Sequence, residues 1–157
     1  MTQHEKFLTM AINLAKKSAK EGLGGPFGAV IVKNGKVIAK AHNSVVPNTD
    51  PTAHAEVNAI RAACKKLKDF ELKGCTIYAS AEPCPMCLGA IYWARPKALY
   101  YAADKKLAAK AGFDDSFIYK EFAQPKSKRK IKTVKIDLPT DNTPFEAWAK
   151  NLTKTEY

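Results

Sequence analysis

Residues 54–56 read His-Ala-Glu, and residues 83–87 read Pro-Cys-Pro-Met-Cys. Zinc is held by His and Cys in tetrahedral sites, and Cys-x-x-Cys is a common ligand spacing. Cys84 and Cys87 are three apart, so on a first helical turn they face the same way. His54 falls at the start of its own apolar-periodic stretch. For the three side chains to meet, two helices must start side by side at the ends of neighbouring strands. The positive end of each helix would also favour thiolate over thiol there.

The rest of the chain supplies those elements. Phe7, Met10, Ala11, Leu14, Ala15 and Ser18 trace one helical face, and Thr2 with Glu5 fits a capping box at its start. FGAVIVK and KVIAKAH are apolar and β-branched, and Asn34-Gly35 between them is a strong hairpin signal. Asp50-Pro51 suits the start of a second helix over 53–68, with Val57, Ile60, Cys64 and Leu67 on one face. GCTIYAS reads as a third strand. CPMCLGAIYWA reads as a helix stopped before Pro96. ALYYAA reads as a fourth strand, DDSFIYKEF as a helix and the alternating IKTVKIDL as a fifth strand. Thr143-Pro144-Phe145-Glu146 combines a capping box with Pro at the first helical position, and opens a last helix carrying Phe145, Trp148, Ala149 and Leu152 on one side. Strands alternating with helices predict an α/β fold with a sheet covered on both faces, and the opening hairpin makes that sheet mixed. The length of 157 residues and the absence of repeats or long linkers predict one domain over 1–157.

Three ligands leave a tetrahedral zinc one place short. A structural site is closed by four; a catalytic site keeps three and leaves the last for water. Glu56, two residues from His54, can reach such a water without binding the metal, and a carboxylate there can carry its proton. A purely structural site has no use for it. Its fourth ligand would have to be Cys64 or Cys75, which read more simply as a small core residue on a helix and a strand-end residue.

No apolar run approaches the ~20 residues of a membrane span, and MTQHEKFLTM is not a secretory signal, so no membrane partner and a reducing, cytoplasmic compartment are expected. The net charge of +11 raises nucleic acid as a partner. Most of the excess is scattered Lys, which reads as a solvated surface; the one dense patch is PKSKRKIKTVK, residues 125–135.

His-x-Glu followed by Pro-Cys-x-x-Cys is the signature of zinc-dependent nucleobase deaminases. The likeness extends well beyond it. GGPFGAVIVKNG, DPTAHAEVNAIRAAC, EPCPMCLGAIYWARPKA and AGFDDSFIYKE, with the terminal Glu-Tyr, resemble the bacterial guanine deaminases of the cytidine/deoxycytidylate deaminase superfamily. The resemblance is weakest over 125–135 and 138–143. It implies a three-layer α-β-α, cytidine-deaminase-like fold with a mixed five-stranded sheet. It also implies one zinc per subunit held by His54, Cys84 and Cys87, Glu56 as proton shuttle, and a small purine rather than nucleic acid as substrate. Asn43, whose amide can donate and accept, and Asp115, taken over its neighbour Asp114 as a carboxylate that can accept from an exocyclic amine or help it leave, are the candidates for reading and releasing the base. Each has a plainer reading, as a strand-end turn residue and a helix cap. Phe27 and Trp93 are candidate walls for the ring, or core. The resemblance further implies a homodimer with exchanged C-terminal segments in which Tyr157 closes the partner's site; without it a terminal Tyr reads as a fraying end. The competing readings are a tRNA adenosine deaminase, which shares both motifs, and a zinc-stabilised binding module without chemistry.

Overall fold

The α1 helix, Gln3–Lys20, is set by its ends and its inner face. Thr2 Oγ1 accepts from the Glu5 amide while the Glu5 carboxylate accepts from the Thr2 amide, so the expected capping box closes. Phe7, Ala11, Ala15 and Ser18 are buried, and Phe7 and Ala11 pack with Val30, Val32 and Tyr78 of the sheet. The strands β1 (Gly28–Lys33) and β2 (Lys36–His42) form the expected antiparallel hairpin. Asn34 and Gly35 at its tip have φ of 50° and 75°, the left-handed values that a two-residue type I′ turn demands. Gly28 marks the closest approach of α1: a Cβ there would stand 2.3 Å from the Ala11 carbonyl oxygen.

A short helix α2, Val45–Asn48, precedes α3, Ala55–Leu67. β3 (Cys75–Ala81) leads into α4 (Pro85–Ala94), and β4 (Ala98–Ala103) into α5 (Lys105–Lys110). The sheet order is β2-β1-β3-β4, with β1 antiparallel to both neighbours and β3 parallel to β4. Its second face is covered by α3 and α4: Ala55, Ala59, Ala63, Ile91 and Ala94 pack on Ala29, Ile31 and Ile77. The sheet is therefore mixed and covered on both faces. The innermost stripe of α3 differs from the expected one. Ala55, Ala59 and Ala63 are fully buried, and Ile60, Cys64 and Leu67 flank them, because small side chains let a helix lie close on a sheet while larger ones wrap its margin.

The computed structural model describes all 157 residues, in two units, Met1–Asp115 and Ser116–Tyr157. The second holds α6 (Ser116–Ala123), a 3-10 turn at Lys126–Lys128 and α7 (Thr143–Lys150). Arg129 donates to the carbonyls of Phe122 and Gln124 at the end of α6, which ties down the start of the basic segment.

Two further expectations are corrected. The sheet has four strands rather than five: residues 131–138 form none, and Ile131, Val134, Ile136 and Leu138 are 56–81% exposed. A strand exists only as part of a ladder, and its own unit contains no second strand to pair with. The α7 capping box does not form: Asn142 occupies the N-cap position, and its side chain donates to Glu146. The helices α2 and α5 were not anticipated; the first is one turn long and contains Pro47, whereas the second had a readable start, since Asp104 caps it by accepting from the Leu107 amide.

Candidate active site

Two helix starts meet as the sequence requires. His54 is the N-cap of α3 and Cys84 the N-cap of α4, both in extended backbone conformation. An N-cap side chain ordinarily accepts from the first turn. Neither does here, so both are free for another task. Pro85 at the first position of α4 sets the turn that brings Cys87 beside Cys84.

His54 Nδ1 lies 3.6 Å from Cys84 Sγ and 3.4 Å from Cys87 Sγ. With Zn–N near 2.1 Å and Zn–S near 2.3 Å, the N···S edge of a tetrahedron is about 3.6 Å. Both N···S separations are close to that edge, the three ligand atoms lie within 4.8 Å of one another, and no fourth His, Cys, Asp or Glu joins the cluster. Neither Cys64 nor Cys75 is part of it: Cys64 Sγ contacts the Phe70 carbonyl, and Cys75 is fully buried in the core. The protein holds one zinc through this His-Cys-Cys set.

The electrostatics agree. A hydrogen bond from the Cys87 thiol, with His54 adding to it, holds Cys84 down to about 4. Cys87 is pushed up by that same bond and by burial. The Cys84 contact raises His54. One proton shared within such a group is what a cation displaces on binding.

Glu56 follows in the first turn of α3, 7% exposed, with Oε2 3.6 Å from Cys87 Sγ. Burial raises its pKa, and the Cys84 charge adds to the rise. Asp115 is half-buried; burial raises it too, and the charge it feels most after that is again Cys84. Asn43, 6% exposed, ends β2 and is fixed from several sides. Its Oδ1 accepts from the Gly25 and Val45 amides, and its carbonyl oxygen meets Ser18 Oγ and His42 Nδ1. With both lone pairs of Oδ1 engaged, the amide presents its NH2 as donor rather than both ends. Gly24 permits this: a Cβ there would lie 2.1 Å from the Asn43 carbonyl oxygen.

Phe27 packs at the edge of the core and makes an edge-to-face contact with Phe113, ring centroids 4.9 Å apart. The two rings line an apolar cavity of about 370 Å³ with Ser80, Ala81 and Ala103. Trp93 lies nine residues beyond Cys84, roughly 13 Å along α4. Its side chain is 64% exposed, so in this chain it stands apart from the metal cluster. Tyr157 belongs to the second unit and is 71% exposed. Among residues not anticipated, Asn58 stands out. It lies one turn after His54, its side chain bonds to His42, Ser44 and Ala53, and no local sequence signal marked it.

Residues 1–103 match the family described as the cytidine and deoxycytidylate deaminase zinc-binding region. The chain is 56% identical to the guanine deaminase of Bacillus subtilis over 98% of its own length and 99% of that protein's. It superposes on the X-ray structure of guanine deaminase from Bacillus subtilis with a TM-score of 0.97 at 55% identity, covering 100% of this chain and 99% of the other. It is also 48% identical to the tRNA-specific adenosine deaminase of Aquifex aeolicus, but over 65% of this chain and 68% of that one. With its α/β fold, its His-x-Glu and Pro-Cys-x-x-Cys motifs converged on one site and this coverage, the chain belongs to the zinc-dependent cytidine and deoxycytidylate deaminase family.

Proposed function

We propose that this protein hydrolyses guanine to xanthine and ammonia. The observation that carries the reading is the extent of the likeness. The similarity to a guanine deaminase runs through both units, whereas the similarity to a tRNA-specific adenosine deaminase spans about two thirds of the chain.

Zinc bound to His54, Cys84 and Cys87 supplies a Lewis acid that brings the pKa of a water down to about 7. The residues of the chain do the rest. The Glu56 carboxylate takes a proton from the attacking water and delivers it to a ring nitrogen, and then carries the second proton to the amine leaving C2. Burial raises its pKa, which favours the protonated form that it takes between the two transfers. The Asn43 NH2 donates to the 6-oxo oxygen of the purine, and an adenine amino group at that place would leave it facing a donor. Phe27 supplies an apolar wall, and Asp115 accepts from the exocyclic amine. The chain pairs with a second copy by exchanging C-terminal segments, bringing the partner's terminal Tyr to the site. The exposed apolar residues of the second unit support that exchange. Four unpaired cysteines suit a cytoplasmic setting.

Ammonia release from guanine, adenine, cytosine and a tRNA anticodon stem-loop, by zinc-loaded protein, tests the reading. Guanine alone is expected to react. Release from the RNA alone would assign the chain to the tRNA enzymes, and release from none would leave a binding module.

A further inference from the structure

Asn58 joins the two halves of the site. Its Nδ2 stands 3.1 Å from the His42 carbonyl oxygen, 2.9 Å from Ser44 Oγ and 3.2 Å from the Ala53 carbonyl oxygen. Two of these three are carbonyls, which only accept, so the amide nitrogen is the atom that points at them. His42 and Ser44 flank Asn43, and Ala53 immediately precedes His54. The Ser44 amide also donates to the Ala53 carbonyl, and the Asn58 amide to that of His54. One carboxamide therefore pins the strand end that carries the purine-reading amide to the helix start that carries a metal ligand.

We infer that Asn58 is a positioning residue: by bridging His42, Ser44 and Ala53 it fixes the Asn43 amide relative to His54, and so sets both the rate with guanine and the preference for a 6-oxo purine. The inference rests on the proposed guanine activity. The Asn58 side chain bonds to no metal-ligating side chain, so it acts through Asn43 and the backbone around it. A displacement near 1 Å in such an arrangement is enough to cost ~10²-fold in rate.

Two variants separate this role from simple packing. Asn58→Ala removes the side chain, whereas Asn58→Asp keeps its shape but has no donor and sets a carboxylate oxygen against two carbonyls. If Asn58 only filled space, Asp would be the milder change. As a bridge of donors, Asp is expected to be at least as harmful as Ala. Both variants are expected to keep one zinc per chain and to lose about 10- to 100-fold in kcat/KM for guanine. They should lose much less for 2-aminopurine, which lacks the 6-oxo group, so the ratio between the two bases collapses. Zinc content, the two kcat/KM values and a thermal melt are read on each variant and on the parent. A parent inactive on guanine sinks the proposed function itself. An active parent with Asn58→Ala unchanged in its guanine to 2-aminopurine ratio, or with zinc lost from Asn58→Ala, overturns the positioning role. Should Asn58→Asp not fold, the ratio measured on Asn58→Ala decides alone.

Discussion

The two units of the chain treat apolar residues in opposite ways. In Met1–Asp115, Ile31, Leu72 and Ile77 are wholly out of solvent, and even a carboxylate, Glu56, is 7% exposed. In Ser116–Tyr157 no residue reaches that degree of burial: Ile136 is 74% exposed, Phe145 70% and Leu152 100%. Both stretches carry clear periodicity. The difference teaches that periodicity states which face wants cover, whereas the source of the cover is a matter of topology. In the first unit the cover arrives from the same unit, since α1, α3 and α4 close on one sheet. In the second, the apolar face of α7 and the alternating residues 131–138 find no cover within their own unit.

The largest effect expected concerns the buried charge. Replacing Glu56→Gln should leave zinc bound, because Glu56 stands outside the ligand set, and lower turnover by ~10²–10⁴-fold through loss of the proton carrier. Stability should move the other way. Burial raises the Glu56 pKa, so the folded state favours its protonated form. That contribution is full below the ordinary carboxylate pKa and is lost as pH rises through the folded value. Metal-free Glu56→Gln should therefore melt higher than the parent at neutral pH, and the gap should close in acid. A neutral-pH melt no higher than the parent's would show the carboxylate to be well solvated, which would weaken the contrast between the units.

A matched pair tests the contrast directly. Ile31→Ala empties a filled core position and is expected to cost about 2–5 kcal/mol at any protein concentration. Trp148→Ala, at 42% exposure in the single chain, would cost little if the second unit stayed uncovered in solution. With exchanged segments covering it, we expect about 2–4 kcal/mol, a loss that deepens as the protein is diluted. Denaturant unfolding at two concentrations reads both. A small, concentration-independent cost for Trp148→Ala would remove the exchange from the proposed function.

These same features decide what could be read from the sequence. The metal cluster was legible because His54, Cys84 and Cys87 are tied to helix starts, and helix starts are local events. The hairpin at Asn34-Gly35 was legible for the same reason. Asn43 was legible as a candidate but not in its orientation, which depends on amides from Gly25 and Val45. Asn58 was not legible, since its three acceptors come from a strand end, a loop and the preceding turn. Residues 131–138 misled for the converse reason: alternation is local, but a strand partner is not.

The smallest expected effect separates two capping motifs that look alike in the sequence. Thr2 with Glu5 and Thr143 with Glu146 share the same spacing, yet only the first closes, and Thr143 Oγ1 instead donates to the Thr140 carbonyl within a turn. Thr2→Ala leaves the Glu5 amide without its side-chain acceptor, at a cost of about 1 kcal/mol. Thr143→Ala removes no cap, because Asn142 holds the N-cap position, and should fall within about 0.5 kcal/mol of the parent. Equal losses from the two substitutions would mean that α7 starts one residue later in solution, with its box closed. Helix starts would then be as fixed in the second unit as in the first, and the contrast between the units would be confined to their apolar faces.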